Sequence, residues 1–190
     1  MPTATLSLIF GDQLNPEHSW FASVRPEVVY VLMEMRQETD YVLHHAQKII
    51  AIFACMRELA RQLREAGHRV HYLAIDDPAN HQNLDDNLRA LITHYQPQVL
   101  EYQDPDEYRL ARQLQAFLTS GAYGTCARSY SIDSKHFYTQ RHEAAELFAN
   151  RKQWLMETFY RHMRKRHRVL MGDADKALDV QALHRWYLGI

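Results

Sequence analysis

Cysteine is scarce in this chain. Cys55 and Cys126 are the only two among 190 residues, far apart and outside any metal-ligand spacing. A disulfide framework is thereby excluded, and the opening residues do not read as a secretory signal, so a reducing cytoplasm is the expected compartment. No stretch approaches the roughly 18 apolar residues that a membrane helix needs, and no membrane partner is expected. Glycine-rich phosphate cradles are missing too. Neither G-x-G-x-x-G nor a P-loop occurs, which makes a nucleoside triphosphate or a dinucleotide pyrophosphate a poor match. The formal charge is −1, so the chain as a whole is no polycation built for nucleic acid. Internal repeats and low-complexity segments are also absent.

What is present is ordinary globular material, 46% hydrophobic and 24% charged. The length suits one generous domain, or one domain with a terminal appendage, with a core that needs no staples. Short apolar runs alternate with helical periods. The runs TLSLIF (5–10), VVYVLM (28–33), HRVHYLAI (68–75), QVLEY (98–102) and the weaker TCARSYS (125–131) read as five strands. Between them fall a short helix near 18–23, a long one from about Tyr41 to Glu65, and two more over about 84–94 and 106–119. On the long helix Val42, Ile49, Ile52, Phe53, Met56, Leu59 and Leu63 share a face, Arg57, Arg61 and Arg64 take another, and Gly67 closes it. The alternation predicts an α/β fold: a Rossmann-like, doubly wound, parallel five-stranded sheet with helices on both faces. After Phe137 only helical signals remain. The expected organisation is an α/β domain over residues 1–137, followed by a basic helical tail over 138–190.

In open parallel sheets, ligands sit beyond the carboxyl ends of the strands, where strand order reverses. Gly11, Asp12, Gln13 and Asn15 follow the first strand, and Glu34 and Arg36 the second. Asp76 and Asp77 follow the third, and Asp104, Asp106 and Glu107 the fourth. This carboxylate and amide rim suits a ligand that offers N–H and O–H donors, such as a pterin-like ring or a polyol chain, and equally a hard metal ion. The plainer alternative is that Asp12, Asp76 or Asp106 caps a helix. Capping explains Glu34 less well, because it directly follows an apolar strand. His44 and His45 open the long helix, with Lys48 one turn after His44. Adjacent histidines on a helix point about 100° apart, so no metal site is expected there, although all three are candidates to line a pocket.

The segment NRKQWLMETFYRHMRKRHRVLM (150–171) is basic. Trp154, Leu155, Phe159 and Met163 form an apolar stripe, surrounded by Arg151, Lys152, Arg161, Arg164, Lys165, Arg166 and Arg168. Such a helix suits phosphate contact, a solvated face, or the docking of another domain or a second copy. Two readings of different class stand beside each other, a ligand-carrying α/β domain and a non-enzymatic interaction module. A small hydrolase or transferase using the acidic rim with Mg²⁺ ranks behind them, since no nucleophile–base pair is visible.

Taken in order, LIFGDQLN…SWF, VLMEMR, TDYVLHHAQKIIAIFACMRELARQLREAGHRVHYLAIDDPAN and RKQWLMETFYRHMRKRHRVLM resemble the amino-terminal part of the deoxyribodipyrimidine photolyase-related proteins. These are the bacterial iron–sulfur photolyases and cryptochromes. The resemblance runs from about residue 5 to 171. It implies a Rossmann-like domain carrying an antenna chromophore, 6,7-dimethyl-8-ribityllumazine, joined to a larger helical domain that binds FAD and a four-cysteine [4Fe–4S] cluster and repairs (6-4) photoproducts in DNA. Carried over by motif, Gly11, Asp12, Gln13 and Glu34 would form the antenna pocket, with His44, His45 and Lys48 at its edge. Arg151, Lys152, Arg161, Arg164, Lys165 and Arg166 would face nucleic acid or a partner. Two departures stand out: Ala46 replaces a basic residue of the usual HHKQK, and PDEYR stands where the family has Glu-Trp-Arg. The pattern is lost after Met171, and two cysteines cannot supply the cluster. The expectation is therefore an antenna-type domain, not catalytic by itself, that is either an excised or truncated piece of a longer protein or works with a separate FAD domain or as a homo-oligomer.

Overall fold

A computed structural model describes residues 3–121 and 128–171. Within residues 1–136, one of two compact units, five strands form a single parallel sheet. They are β1 (Thr5–Leu8), β2 (Val28–Met33), β3 (Arg69–Leu73), β4 (Val99–Gln103) and β5 (Arg128–Ile132), in the order β3-β2-β1-β4-β5. A single-turn 3₁₀ segment, Ser19–Phe21, precedes β2. Helices α1 (Arg36–Asp40) and α2 (Ala46–Glu65) lie between β2 and β3. Helix α3 (Leu84–Tyr95) links β3 to β4, and α4 (Tyr108–Thr119) follows β4. The fold is the doubly wound, Rossmann-like α/β arrangement.

Side-chain alternation explains the layering. Strand residues one apart point to opposite faces, and β2 is apolar throughout, as a central strand buried on both sides must be. Val29, Val31 and Met33 join Leu6, Leu8 and Leu100 under α3 and α4, against Leu84, Leu88, Leu91, Leu110, Leu114 and Phe117. Val28, Tyr30 and Leu32 face the other way, against Met56, Leu59, Ala60 and Leu63 of α2 and against Trp20. The order places β1 centrally, with β2 paired on one side and β4 on the other. The chain reverses its direction of growth between β1 and β4, so the switch point opens at the carboxyl ends of those two strands.

Element boundaries differ from expectation where side chains intervene. The helix expected from Tyr41 begins at Ala46, because His45 is extended and its Nδ1 accepts from the Gln47 amide at 3.2 Å, capping α2. Residues 41–45 are not helical, and the short helix α1 lies before them. The caps of α3 and α4 are Asn83, accepting from the Asp86 amide, and Glu107, accepting from the Arg109 and Leu110 amides. None of Asp12, Asp76 or Asp106 is a helix cap. Gly67 is left-handed, with φ of +91° and its amide on the Arg64 carbonyl, as a helix-closing glycine should be. Of the expected fifth strand, residues 125–127 lie outside the described residues.

The second compact unit, residues 137–190, contains α5 (Glu143–Leu147) and α6 (Met156–His167). Phe148 is buried and stacks on Trp154, with centroids 5.6 Å apart. The expected apolar stripe is split, since Trp154 and Leu155 precede α6 rather than sit on it. Among the described residues, no helix is long and apolar enough to cross a membrane.

Candidate functional site

The switch-point crevice is assembled by the residues that leave β1. Gln13 is buried, and its side chain bridges two distant segments. Its Oε1 accepts from the Phe10 amide at 3.1 Å, and its Nε2 donates to the carbonyls of Gln103 and Asp104, each at 3.2 Å. The carboxyl ends of β1 and β4 are thus clasped by one amide. Gly11 sets the opposite side. A Cβ there would meet Ile52 Cγ2 at 3.0 Å and Met56 Sδ at 3.3 Å, so the loop approaches α2 as closely as a backbone can. Next to that contact, Ile49, Ile52 and Phe53 are only half-buried, and they give the crevice an apolar wall.

Asp12 lies between this wall and a charged rim. Asp12 keeps an exposed surface, but the protein packed around it raises its pKa above the ordinary carboxylate value, and the negative charges of Asp106 and Glu38 push it further; its own backbone amide and His136 oppose the rise. Asp106 is held in turn, accepting at one oxygen from Ser134 Oγ at 3.1 Å and from His136 Nδ1 at 2.8 Å. Glu38 accepts from Arg109 Nη2 at 2.8 Å, and that guanidinium lies 4.3 Å over the Tyr41 ring. Tyr41 is edge-on to His44 at 5.1 Å, and Lys48 Nζ is 3.5 Å from His44 Nδ1. A chain of contacts therefore runs from Glu38 by way of Arg109, Tyr41 and His44 to Lys48 at the start of α2.

The residues singled out by sequence take different places in this arrangement. Gly11 and Asp12 line the crevice. Gln13 uses its whole amide to build it. Glu34 is fully buried, and its carboxylate accepts from Arg57 Nε at 2.6 Å, Arg57 Nη2 at 2.8 Å, the Tyr72 hydroxyl and the Ile75 amide at 2.8 Å. Burial pushes this carboxyl up, but those donors outweigh it and hold it below its ordinary range. All its acceptor directions are occupied within the protein, so Glu34 ties α2 to the ends of β2 and β3 instead of presenting a bare carboxylate. His45 is a helix cap, while His44 and Lys48 stay near solvent.

Sequence reading missed Glu38, Arg109 and His136. His136 follows β5, and the strand-end rule applied to the fifth strand as well would have found it. Among the described residues, no group of three or more His, Cys, Asp or Glu could hold a metal ion.

The model of the deoxyribodipyrimidine photo-lyase-related proteins matches residues 7–178. The chain belongs to this family. It is also 35% identical over 168 residues to a (6-4) photolyase from Agrobacterium fabrum, an alignment covering 88% of this chain but 32% of that relative. The chain thus spans about a third of that photolyase.

In this photolyase-related chain the basic residues of the second unit divide between internal pairs and open surface. Arg161 Nε bonds Glu157 at 2.6 Å, and Arg166 pairs with Glu143. Arg164 is buried and donates to the carbonyls of Val169 and Leu170, closing the end of α6. Arg151, Lys152, Lys165 and Arg168 are exposed.

Proposed function

We propose that this chain is the pigment-carrying α/β portion of a photolyase-type protein, binding 6,7-dimethyl-8-ribityllumazine at the switch-point crevice. The observation that carries the reading is the juxtaposition of an apolar wall (Ile49, Ile52, Phe53) with a carboxylate rim (Asp12, Glu38, Asp106). A flat heterocycle needs the first for its faces. Ring N–H and ribityl hydroxyl groups need the second as acceptors. Orientation matters for energy transfer, and the Gln13 clasp and the Glu34–Arg57 pair give the crevice rigid sides.

The chain's own residues do not fit an iron–sulfur cluster, since two cysteines cannot complete a set of four thiolates. On this reading FAD, the cluster and lesion chemistry belong to a catalytic part that the pigment portion serves. Titrating the protein into the lumazine tests the proposal. Quenched or shifted near-ultraviolet emission, saturating at micromolar protein and weakened by Asp12→Asn, is expected. Unchanged emission would remove the pigment role.

A second reading, docking of a partner or of nucleic acid through the helical tail, draws on the second unit. Trp154, Leu155 and Met156 are at least 56% exposed there, more apolar surface than so small a unit needs to leave in water. Light scattering that shows a concentration-dependent dimer would favour it.

A further inference from the structure

The loop after β5 carries an imidazole whose setting exceeds what a surface ion pair requires. Asp133 Oδ1 accepts from the Lys135 amide at 3.0 Å, and Lys135 takes a left-handed φ of 57°, a conformation that a lysine adopts only at a cost in backbone energy. This tight turn delivers His136 to Asp106. Ser134, itself buried, donates to the same carboxylate oxygen that faces the ring, so the acceptor cannot swing away. In the neutral ring that donates Nδ1–H to Asp106, Nε2 is left as an acceptor. Nε2 has no partner among the described residues, and the ring is partly open to solvent, with 30% of the side chain exposed. The loop that carries Asp106 leaves β4 beside Asp104, whose carbonyl is held by the amide of Gln13, the chain neighbour of Asp12.

A group that only joined two loops would need neither the second anchor nor the open nitrogen. We propose that His136, held by Asp106 and Ser134, contacts the ligand of the switch-point crevice, its Nε2 accepting an N–H or O–H hydrogen opposite the Asp12 carboxylate. The ligand class follows from the pair. It is a molecule with two hydrogen-bond donors set apart, such as a heterocycle bearing a polyol chain. The inference rests on the pigment reading and adds to it a recognition residue on β5.

The test uses the full chain and 6,7-dimethyl-8-ribityllumazine as the probe. Emission titrations compare the native protein, Asp12→Asn, His136→Phe (which keeps a ring but no nitrogen) and His136→Gln (which restores an acceptor). In parallel, ¹⁵N spectra of histidine-labelled protein follow the His136 ring nitrogens. The expected result is an affinity about tenfold weaker for His136→Phe, partial recovery in His136→Gln, and a ligand-induced shift at Nε2 larger than at Nδ1. Native-like binding by a folded His136→Phe, with Asp12→Asn still impaired, overturns the inference and leaves the pigment reading standing. An Nε2 signal unmoved at saturating pigment overturns it as well, even if the substitution unfolds the protein. Absence of binding by the native protein overturns both.

Discussion

Gly11 and His68 show how single positions limit this molecule. At Gly11 the constraint is room. Gly11→Ala places a methyl carbon 3.0 Å from Ile52 Cγ2, which forces α2 or the loop to move. A stability loss of about 1–3 kcal/mol in denaturant melts is expected, and Ile52→Ala in the same chain should recover part of it. At His68 the constraint is protonation. The ring sits edge-on to Phe21 and Tyr30, its Nδ1 is buried without a partner among the described residues, and burial lowers its pKa from the ordinary 6.5. His18, also buried, is shifted in the same direction. As pH falls through 6.5, the unfolded chain takes up protons that the folded chain refuses, so stability is full above that value and declines below it. The melting temperature should fall between pH 7.5 and pH 5, and His68→Phe should flatten that slope while stabilising the protein at pH 5. An equal slope in the variant would show that His68 is not a source of the acid sensitivity.

Helices and strands here are joined by a few polar side chains as much as by apolar surface. Glu34 links β2 to α2 through Arg57 and to β3 through Tyr72 and the Ile75 amide. Arg57→Met should cost about 2 kcal/mol, since it removes two charge-assisted bonds from a buried carboxylate but leaves two other donors in place. Glu34→Gln in the Arg57→Met background should then cost less than it does alone, which a double-mutant cycle will measure. The sheet was legible in the sequence because β-branched and apolar runs of strand length alternate with 3.6-residue periods, and TLSLIF, VVYVLM and QVLEY admit no other element. The position of Asp12 was legible for the same reason, since strand ends follow once strands are placed. What was not legible depended on pairing across the chain. No local pattern shows that Arg57, on the face read as solvated, reaches back to Glu34. Likewise Tyr41 to His45 continue the helical period of α2, and only the side-chain cap of His45 shows that the helix starts later.

For the molecule as a whole, charge is more closely neutralised than the sequence suggests. Among the described residues of the second unit, Arg161 and Arg166 are paired with acids and Arg164 with backbone carbonyls, which leaves chiefly Arg151, Lys152, Lys165 and Arg168 to meet phosphates. If this chain binds duplex DNA, log K against log salt should have a slope no steeper than about −4, the value for roughly four phosphate contacts. A markedly steeper slope would mean that the internal pairs open on binding. The Gln13 clasp has a consequence in time. Its amide joins residue 13 to residues 103 and 104, and at synthesis rates of about 5–20 residues per second the first of these waits several seconds for the others. Until then β1 has no neighbour on that side and the crevice has no second lip. The crevice is thereby completed only once the sheet is assembled past its centre, and a half-made chain has one lip of it without the other.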